Sequence, residues 1–596
     1  MKIFAFITSL LLLIGIMPDA ALAAKNKKPK IKNVTFEGNH TFDDKRLLKL
    51  MLSRPSGFLR SSDYYPEILE TDIENIINFY HQNGYLEVSI NTPEVKSDTL
   101  YNLVDIFLKI TEGEVTRLEG MTVFGNRAFP DSTLLDLVDL KNGDPFARLH
   151  VQDGMMAMIS LYAENGYLDA TIKPEIKINP EAHLAVVDFT VTEKQSATVS
   201  EIRIEGLKKT RLNIVLRELT FARGKTIRYS KLLTSQRQLY MTGLFSSVFI
   251  RPVPAESGSP AERDILVEVK EELSSEFNTS IGFGTLDRVR GKAELLTTNL
   301  SGTARKAGGS ISASFIRRAA ELSFTEPWTL GTRLHTDLRL IFEFLEEPGY
   351  DLSRYGGRIT IGRDIGENIV ISLSYRHENS ELRHVETDVQ PDNFEPKIRS
   401  FILGISRDTR NNLFNSIDGS YLEWTNEIAG TFLSGTNSFA RSIFRLKRFV
   451  ILDRKTVLAS AMEIGWIDNF KDEEEIPLSE RFYAGGPSTI RGFGYKLVGP
   501  RDDDGDPIGG EFMVTLNLLE VRRALYKFIG VAFFADIGNV WTNINDVDLA
   551  DLRPSAGTGL RVNTPLGIVR LDYGINLDRR GEEPRDKIFF SMGQAF

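Results

Sequence analysis

A row of small α+β repeats followed by a transmembrane antiparallel β-barrel of about 16 strands is the fold class this sequence predicts. Three observations carry it. A pattern of strand, two helices and two strands recurs three times in the first half of the chain. After Ser274 helical spacing gives way to alternating segments of about ten residues. No segment beyond the N-terminus is a continuous apolar run of the roughly 20 residues that a spanning helix needs.

Lys2 opens an apolar run from Ile3 to Met17, and the small-residue triplet Ala21-Leu22-Ala23 follows. This predicts a secretory signal peptide over residues 1–23, too short to span as a helix. Export then leaves two options for the mature chain, a soluble protein or a barrel.

The repeats open with short alternating strands ended by glycine turns: Ile31 to Asn39, Leu118 to Asn126, and Ile202 to Gly206. A leucine-spaced helix follows each opener (Leu47, Leu48, Met51; Leu134, Leu135, Val138; Ile214, Leu216, Leu219). A second helix ends at Asn83-Gly84-Tyr85, Asn165-Gly166-Tyr167 and Thr242-Gly243-Leu244, where glycine suits a left-handed closing residue. Two strands finish each unit, the last being Val104 to Ile110, Val187 to Val191 and Ile265 to Val269. Gly84, Gly166 and Gly243 set a period of about 80 residues. The units are placed at 30–112, 115–195 and 197–272. This order at this period resembles the POTRA domain, a periplasmic module, and the resemblance implies peptide handling: an exposed sheet edge takes up an extended client by β-augmentation.

The barrel is placed at 274–596. Phe277, Thr279, Ile281 and Phe283 alternate with Asn278, Ser280, Gly282 and Gly284, and Val569, Leu571, Tyr573 and Ile575 alternate with Arg570, Asp572 and Gly574. Apolar residues outside and charge in a lumen follow, since Arg570 and Asp572 would face the core of a soluble sandwich. The 322 residues left (596 minus 274), at roughly 20 per strand with its share of loop, predict about 16 strands. Ile588, Phe590, Met592 and Phe596 share one face of the last strand, with Gly593 on the other. A terminal aromatic on such a strand resembles the assembly signal of outer-membrane proteins.

Gly485-Gly486-Pro487-Ser488-Thr489-Ile490-Arg491-Gly492-Phe493 is the most specific stretch. Ile490, Arg491, Gly492 and Phe493 match the loop-six motif of the BamA/TamA outer-membrane insertase superfamily. Phe324-Thr325-Glu326-Pro327-Trp328, Arg407 to Asn412 and Pro565 to Tyr573 are similar to other parts of that superfamily's barrel. The resemblance covers essentially the whole mature chain, and three POTRA units favour a TamA-like member. It implies that loop six folds back into the barrel, where the Arg491 guanidinium can bind a lumenal carboxylate at two points. Asp536 is the first candidate acceptor, ahead of Asp572 and Glu520. Strict alternation puts Glu520 on the face of Leu516 and Leu518, so it ranks last unless a bulge intervenes.

The function implied is assembly and insertion of outer-membrane proteins or autotransporter-type translocation, at a seam between the first and last strands. Phe277, Ile281, Phe283, Phe590, Gly593 and Phe596 are the seam residues, with Gly282, Gly284 and Gly593 weakening both partners. The alternatives are a substrate-specific two-partner-type secretion pore and a passive porin, which would leave the repeats without a purpose. The expected partners are unfolded client proteins, the lipid bilayer, and either a TamB-like companion anchored in the inner membrane or BAM lipoproteins. The location expected is the outer membrane, with the repeats in the periplasm.

Composition argues against other classes. With 81 acidic against 72 basic residues the net charge is −9, which repels nucleic acid. Without cysteine there is no disulfide, thiolate metal site or cysteine nucleophile. The seven histidines form no HExxH and no GxSxG occurs, so neither enzyme chemistry nor a cofactor is expected. Asp502 to Asp506 resembles the start of a calcium loop but lacks its bidentate glutamate. It is expected, like Asp472 to Glu475, to be a solvated loop.

Overall fold

The computed structural model describes residues 28–55, 63–98, 101–386, 393–413, 415–430, 433–453, 455–470, 475–564 and 567–592. The signal-peptide residues and Gly593 and Phe596 lie outside this set. Contacts divide the chain into two compact units. One comprises Met1–Arg203, Thr220–Ser235 and Ile250–Val267, and the other Ile204–Leu219, Gln236–Phe249 and Glu268–Phe596.

Each repeat forms a small sheet whose central strand is its last. In the first, β1 (Lys30–Glu37) runs parallel to β4 (Leu103–Thr111), which also pairs antiparallel with β2 (Ser89–Ile90) and β3 (Glu94–Asp98). In the second, β5 (Arg117–Phe124) is parallel and β6 (Thr171–Asn179) antiparallel to β7 (Leu184–Thr192). The third has the order β8 (Thr198–Glu205), β10 (Glu262–Glu271), β9 (Phe245–Pro254). The opening strand and a later strand are therefore the edges of every sheet. The long helix of the first repeat, Pro66–Gln82, buries Leu69, Ile76 and Tyr80 on one stripe against Ile31, Leu47 and Ile106. Arg148–Glu164 does the same in the second with Val151, Met158 and Tyr162.

Two devices repeat three times. Gly38, Gly125 and Gly206 have φ of 87°, 87° and 93°, and a Cβ on each would sit 2.2, 2.3 and 1.8 Å from the carbonyl oxygens of Ile110, Val191 and Val269. Only glycine lets the opening turn cross its central strand so closely. At the end of that strand, or one residue past it, stands a carboxylate that binds the loop after the turn. Glu112 accepts from Thr41 N at 3.0 Å and Tyr80 Oη at 2.7 Å. Glu193 accepts from Arg127 N, Ala128 N and Tyr162 Oη at 2.6, 2.8 and 2.7 Å. Glu271 accepts from Thr210 N at 2.7 Å.

From Ser275 onward the chain is one 16-stranded sheet in sequence order, β11 (Ser275–Gly284) to β26 (Asp586–Met592). The strand number equals the one the sequence predicts. Phe277, Ile281, Leu571 and Tyr573 point outward, while Arg570 and Asp572 are buried inside. The alternation that suggested lipid outside and charge within therefore describes the wall. Among the described residues no helix is long and apolar enough to cross a membrane.

Candidate functional site

Loop six connects β21 (Thr456–Asn469) to β22 (Phe512–Tyr526) and carries the residues on which the sequence analysis centred. Among the described residues Arg491 is the largest with essentially no exposure, at 0 %. A guanidinium stripped of water costs several kcal/mol unless its donors are matched, so its partners define the site. Asp536, on β23 (Ile529–Trp541), takes it at two points, Nε to Oδ2 and Nη2 to Oδ1, each at 2.8 Å. The Arg491 backbone N–H adds a third bond to the same carboxylate at 3.1 Å. The third guanidinium direction, Nη1, donates to Glu520. Its flat face lies 3.6 Å from the ring centre of Phe534.

Asp536 is placed where the sequence analysis put it first, but the order of the other two candidates reverses. Glu520 is a direct partner because β22 shifts register between Asn517 and Leu519 against β23. The shift leaves Leu518 and Leu519 both outward and returns Glu520, at 0 % exposure, to the lumen. Asn517, before the shift, faces the same way and links Asp536 Oδ1 at 2.9 Å to Thr489 O at 2.7 Å. One bulge thus converts an outward glutamate into a lumenal one. Asp572 does not contact Arg491. It binds Arg561 Nη1 at 2.5 Å, with Arg570 Nη1 at 3.7 Å, because these guanidinia lie nearer on β24 (Arg553–Thr564) and β25 (Gly567–Asn576). Arg570 in turn donates to the Pro487 carbonyl at 3.1 Å, so Asp572 touches the loop only through a neighbour.

The rest of the motif fits the wall by shape. Gly492 has φ of 115°, and its peptide lies against Gly574 of β25, where a Cβ would come within 2.6 Å of Gly492 N. Two glycines are therefore required for backbone to lie on backbone here. Ile490 and Phe493 are buried, and the Arg553 guanidinium stacks 4.6 Å from the Phe493 ring centre.

At the seam, β11 and β26 end the strand order and share no ladder among the described residues. Among the described residues the chain just past β11 meets β26 at Thr285 and Phe590: Thr285 N donates to Phe590 O at 2.9 Å, and Phe590 N to the Thr285 side-chain Oγ1 at 2.7 Å. The rings of Phe283 and Phe590 lie 5.7 Å apart on the outer side. Phe277 and Ile281 are fully outward and lack such a partner ring among the described residues. A cleft of about 1100 Å³ borders the seam, lined by Ile281, Gly282, Arg290, Lys292 and Met592. No periodicity or motif singles out Thr285, whose hydroxyl serves the seam as both donor and acceptor.

The other stretches are local. Arg410 clips Asp408 at two points, 2.9 and 2.6 Å. Trp328 lies between the guanidinia of Arg217 and Arg333, at 5.1 and 5.6 Å. Asp502 and Asp506 close a turn on each other, Asp506 N to Asp502 Oδ1 at 2.7 Å. No group of three or more metal-ligating side chains occurs among the described residues.

Residues 299–596 match the Omp85 superfamily domain, and 29–113, 116–194 and 197–272 each match the POTRA family, described as a surface antigen variable number repeat. The outer membrane protein assembly factor BamA of Nitratidesulfovibrio vulgaris is 26% identical over 592 residues, covering 96% of this chain and 74% of its own. That of Neisseria meningitidis serogroup B is 24% identical over 641, covering 96% and 79%. In fold, the chain is similar to the crystal structure of BamA from Haemophilus ducreyi lacking POTRA domains 1–3, with TM-score 0.68 at 20% identity, over 80% of this chain and 99% of that one. With half of its length matched by the barrel model and three POTRA matches before it, the chain belongs to the Omp85 superfamily.

Proposed function

We propose that this protein assembles and inserts β-barrel proteins in the outer membrane. The barrel lies in that membrane and the POTRA units in the periplasm. The observation that carries the reading is the seam, where β11 and β26 share no ladder among the described residues and Thr285, just past β11, bonds to Phe590 of β26. Unpaired backbone groups within a bilayer cost several kcal/mol each, so an opened seam is a template that an incoming strand satisfies. The client's own folding supplies the driving force, and no cofactor enters the reading. POTRA edges such as β6 would hold clients extended by β-augmentation before they reach the seam.

The count of three POTRA units supports a TamA-like companion anchored in the inner membrane, whereas the named relatives are BamA proteins, which supports lipoprotein partners instead. Affinity capture of the tagged protein followed by mass spectrometry separates the two. The function itself is tested by reconstituting the purified protein in liposomes and adding a urea-denatured outer-membrane barrel. Folded, protease-resistant client should accumulate faster than in empty liposomes, and equal rates would refute the proposal.

A further inference from the structure

Loop six carries a second buried charge well before Arg491. Glu480 sits in a short 3-10 turn, Leu478–Glu480, and is 5 % exposed. Its carboxylate accepts Arg376 Nη2 at 2.7 Å and Nη1 at 3.2 Å, from β17 (Ile369–Arg383), and Arg441 Nη1 at 2.8 Å, from β20 (Phe439–Asp453). Glu378 and Glu427 complete the cluster: Arg376 also donates to Glu378 at 2.7 Å and to Glu427 at 3.2 Å, and Arg441 to Glu427. The turn is fixed apolarly as well. Leu478 is buried with Tyr350, Leu352 and Leu382 of the same wall. Tyr483 Oη donates to the Leu478 carbonyl at 2.9 Å, and Arg481 Nε to that of Ile476 at 2.9 Å, which stiffens the segment between.

The two anchors hold different walls. Arg491 is bound to β22 and β23, and its neighbours rest on β24 and β25, next to the seam strand β26. Glu480 is bound to β17 and β20, six or more strands from β26 in the sheet order. A loop tied at two points to separate parts of the wall is a strut across the lumen.

We infer that Glu480 is a positioning residue: it fixes the near end of loop six to the wall away from the seam, and so sets where the Arg491 end holds the wall beside it. The inference deepens the insertase reading and rests on it for its consequence, but the geometry it asserts is tested without any client. A cysteine pair placed at Asp504 in loop six and at Lys397 on the rim, both exposed in a chain with no native cysteine, can be spin-labelled in the full-length protein. Pulsed electron spin resonance then reads the distance between loop and rim. The unsubstituted protein should give one narrow distribution. Glu480→Gln should lose it, giving a broad distribution together with more frequent channel openings in planar bilayers. Arg376→Gln, which removes the guanidinium that supplies two of the three bonds Glu480 accepts, should broaden the distribution in the same sense. Should Glu480→Gln give no folded barrel, Glu480→Asp, which keeps the charge but shortens its reach, should broaden the distribution in the same sense. An unchanged distribution in the folded variants overturns the inference. Failure of the insertase reading would show instead as an inactive unsubstituted protein, a result this measurement does not consult.

Discussion

Arg491 and Asp536 are joined at three points, two from the guanidinium and one from the Arg491 backbone, with both residues buried in the lumen. A single side chain of loop six thus carries both its own orientation and its attachment to β23. Arg491→Ala would leave Asp536 and Glu520 without their principal shared counter-charge, at a cost of about 3–5 kcal/mol for a broken buried pair. The variant should still reach the membrane, with a lower temperature of conversion between folded and unfolded forms on semi-native gels and reduced client assembly.

The carboxylates can be told apart. Asp536→Asn should reproduce most of the Arg491→Ala defect, and Glu520→Gln a part of it. Asp572→Asn should destabilise the β24–β25 wall around Arg561 while leaving loop six in place, because no Asp572 oxygen touches Arg491. Protease accessibility of loop six in intact cells reads the difference directly.

The POTRA carboxylates give a pH prediction. Burial, the largest influence on Glu193, pushes its pKa up, but the N–H groups of Arg127 and Ala128 and the Tyr162 hydroxyl together hold it below the ordinary 4.5. A carboxyl with a depressed folded pKa stabilises the fold fully above its unfolded pKa, and the contribution is lost as pH falls through the folded value. The second repeat should therefore weaken as pH drops below about 4.5. Glu193→Gln should lower its stability at neutral pH by about 1 kcal/mol and flatten that acid dependence. The described α-helices all lie in the POTRA units, so the α-helical circular-dichroism signal of the full chain reports this melting apart from the barrel.

Much of this was legible because periodicity records burial. Gly84, Gly166 and Gly243 mark helix ends wherever the chain must turn left-handed, and Leu571 and Arg570 alternate because lipid and lumen lie on opposite faces. Glu520 was misjudged because alternation assumes an unbroken pleat, and a one-residue register shift inverts every side chain beyond it. Asp572 was on the right face, but sequence does not say which of several guanidinia comes nearest. Glu480 gave no periodic signal at all, since a lone loop glutamate acquires its partners only from the closed wall. Thr285 was hidden for a similar reason: its bond to Phe590 joins residues 305 positions apart.

In the proposed function the seam between β11 and β26 opens to admit client strands, so locking it should stop assembly. The backbone bond from Thr285 N to Phe590 O sets these two residues opposite one another, with Cα atoms within the roughly 7 Å a disulfide tolerates. Thr285→Cys with Phe590→Cys creates the only possible disulfide in a chain that has no cysteine. Client folding in liposomes, measured on the oxidised and then the reduced double variant, should be lost in the first and restored in the second with the barrel folded in both. Full client folding by a quantitatively locked barrel would contradict the account and leave the POTRA edges as the working part.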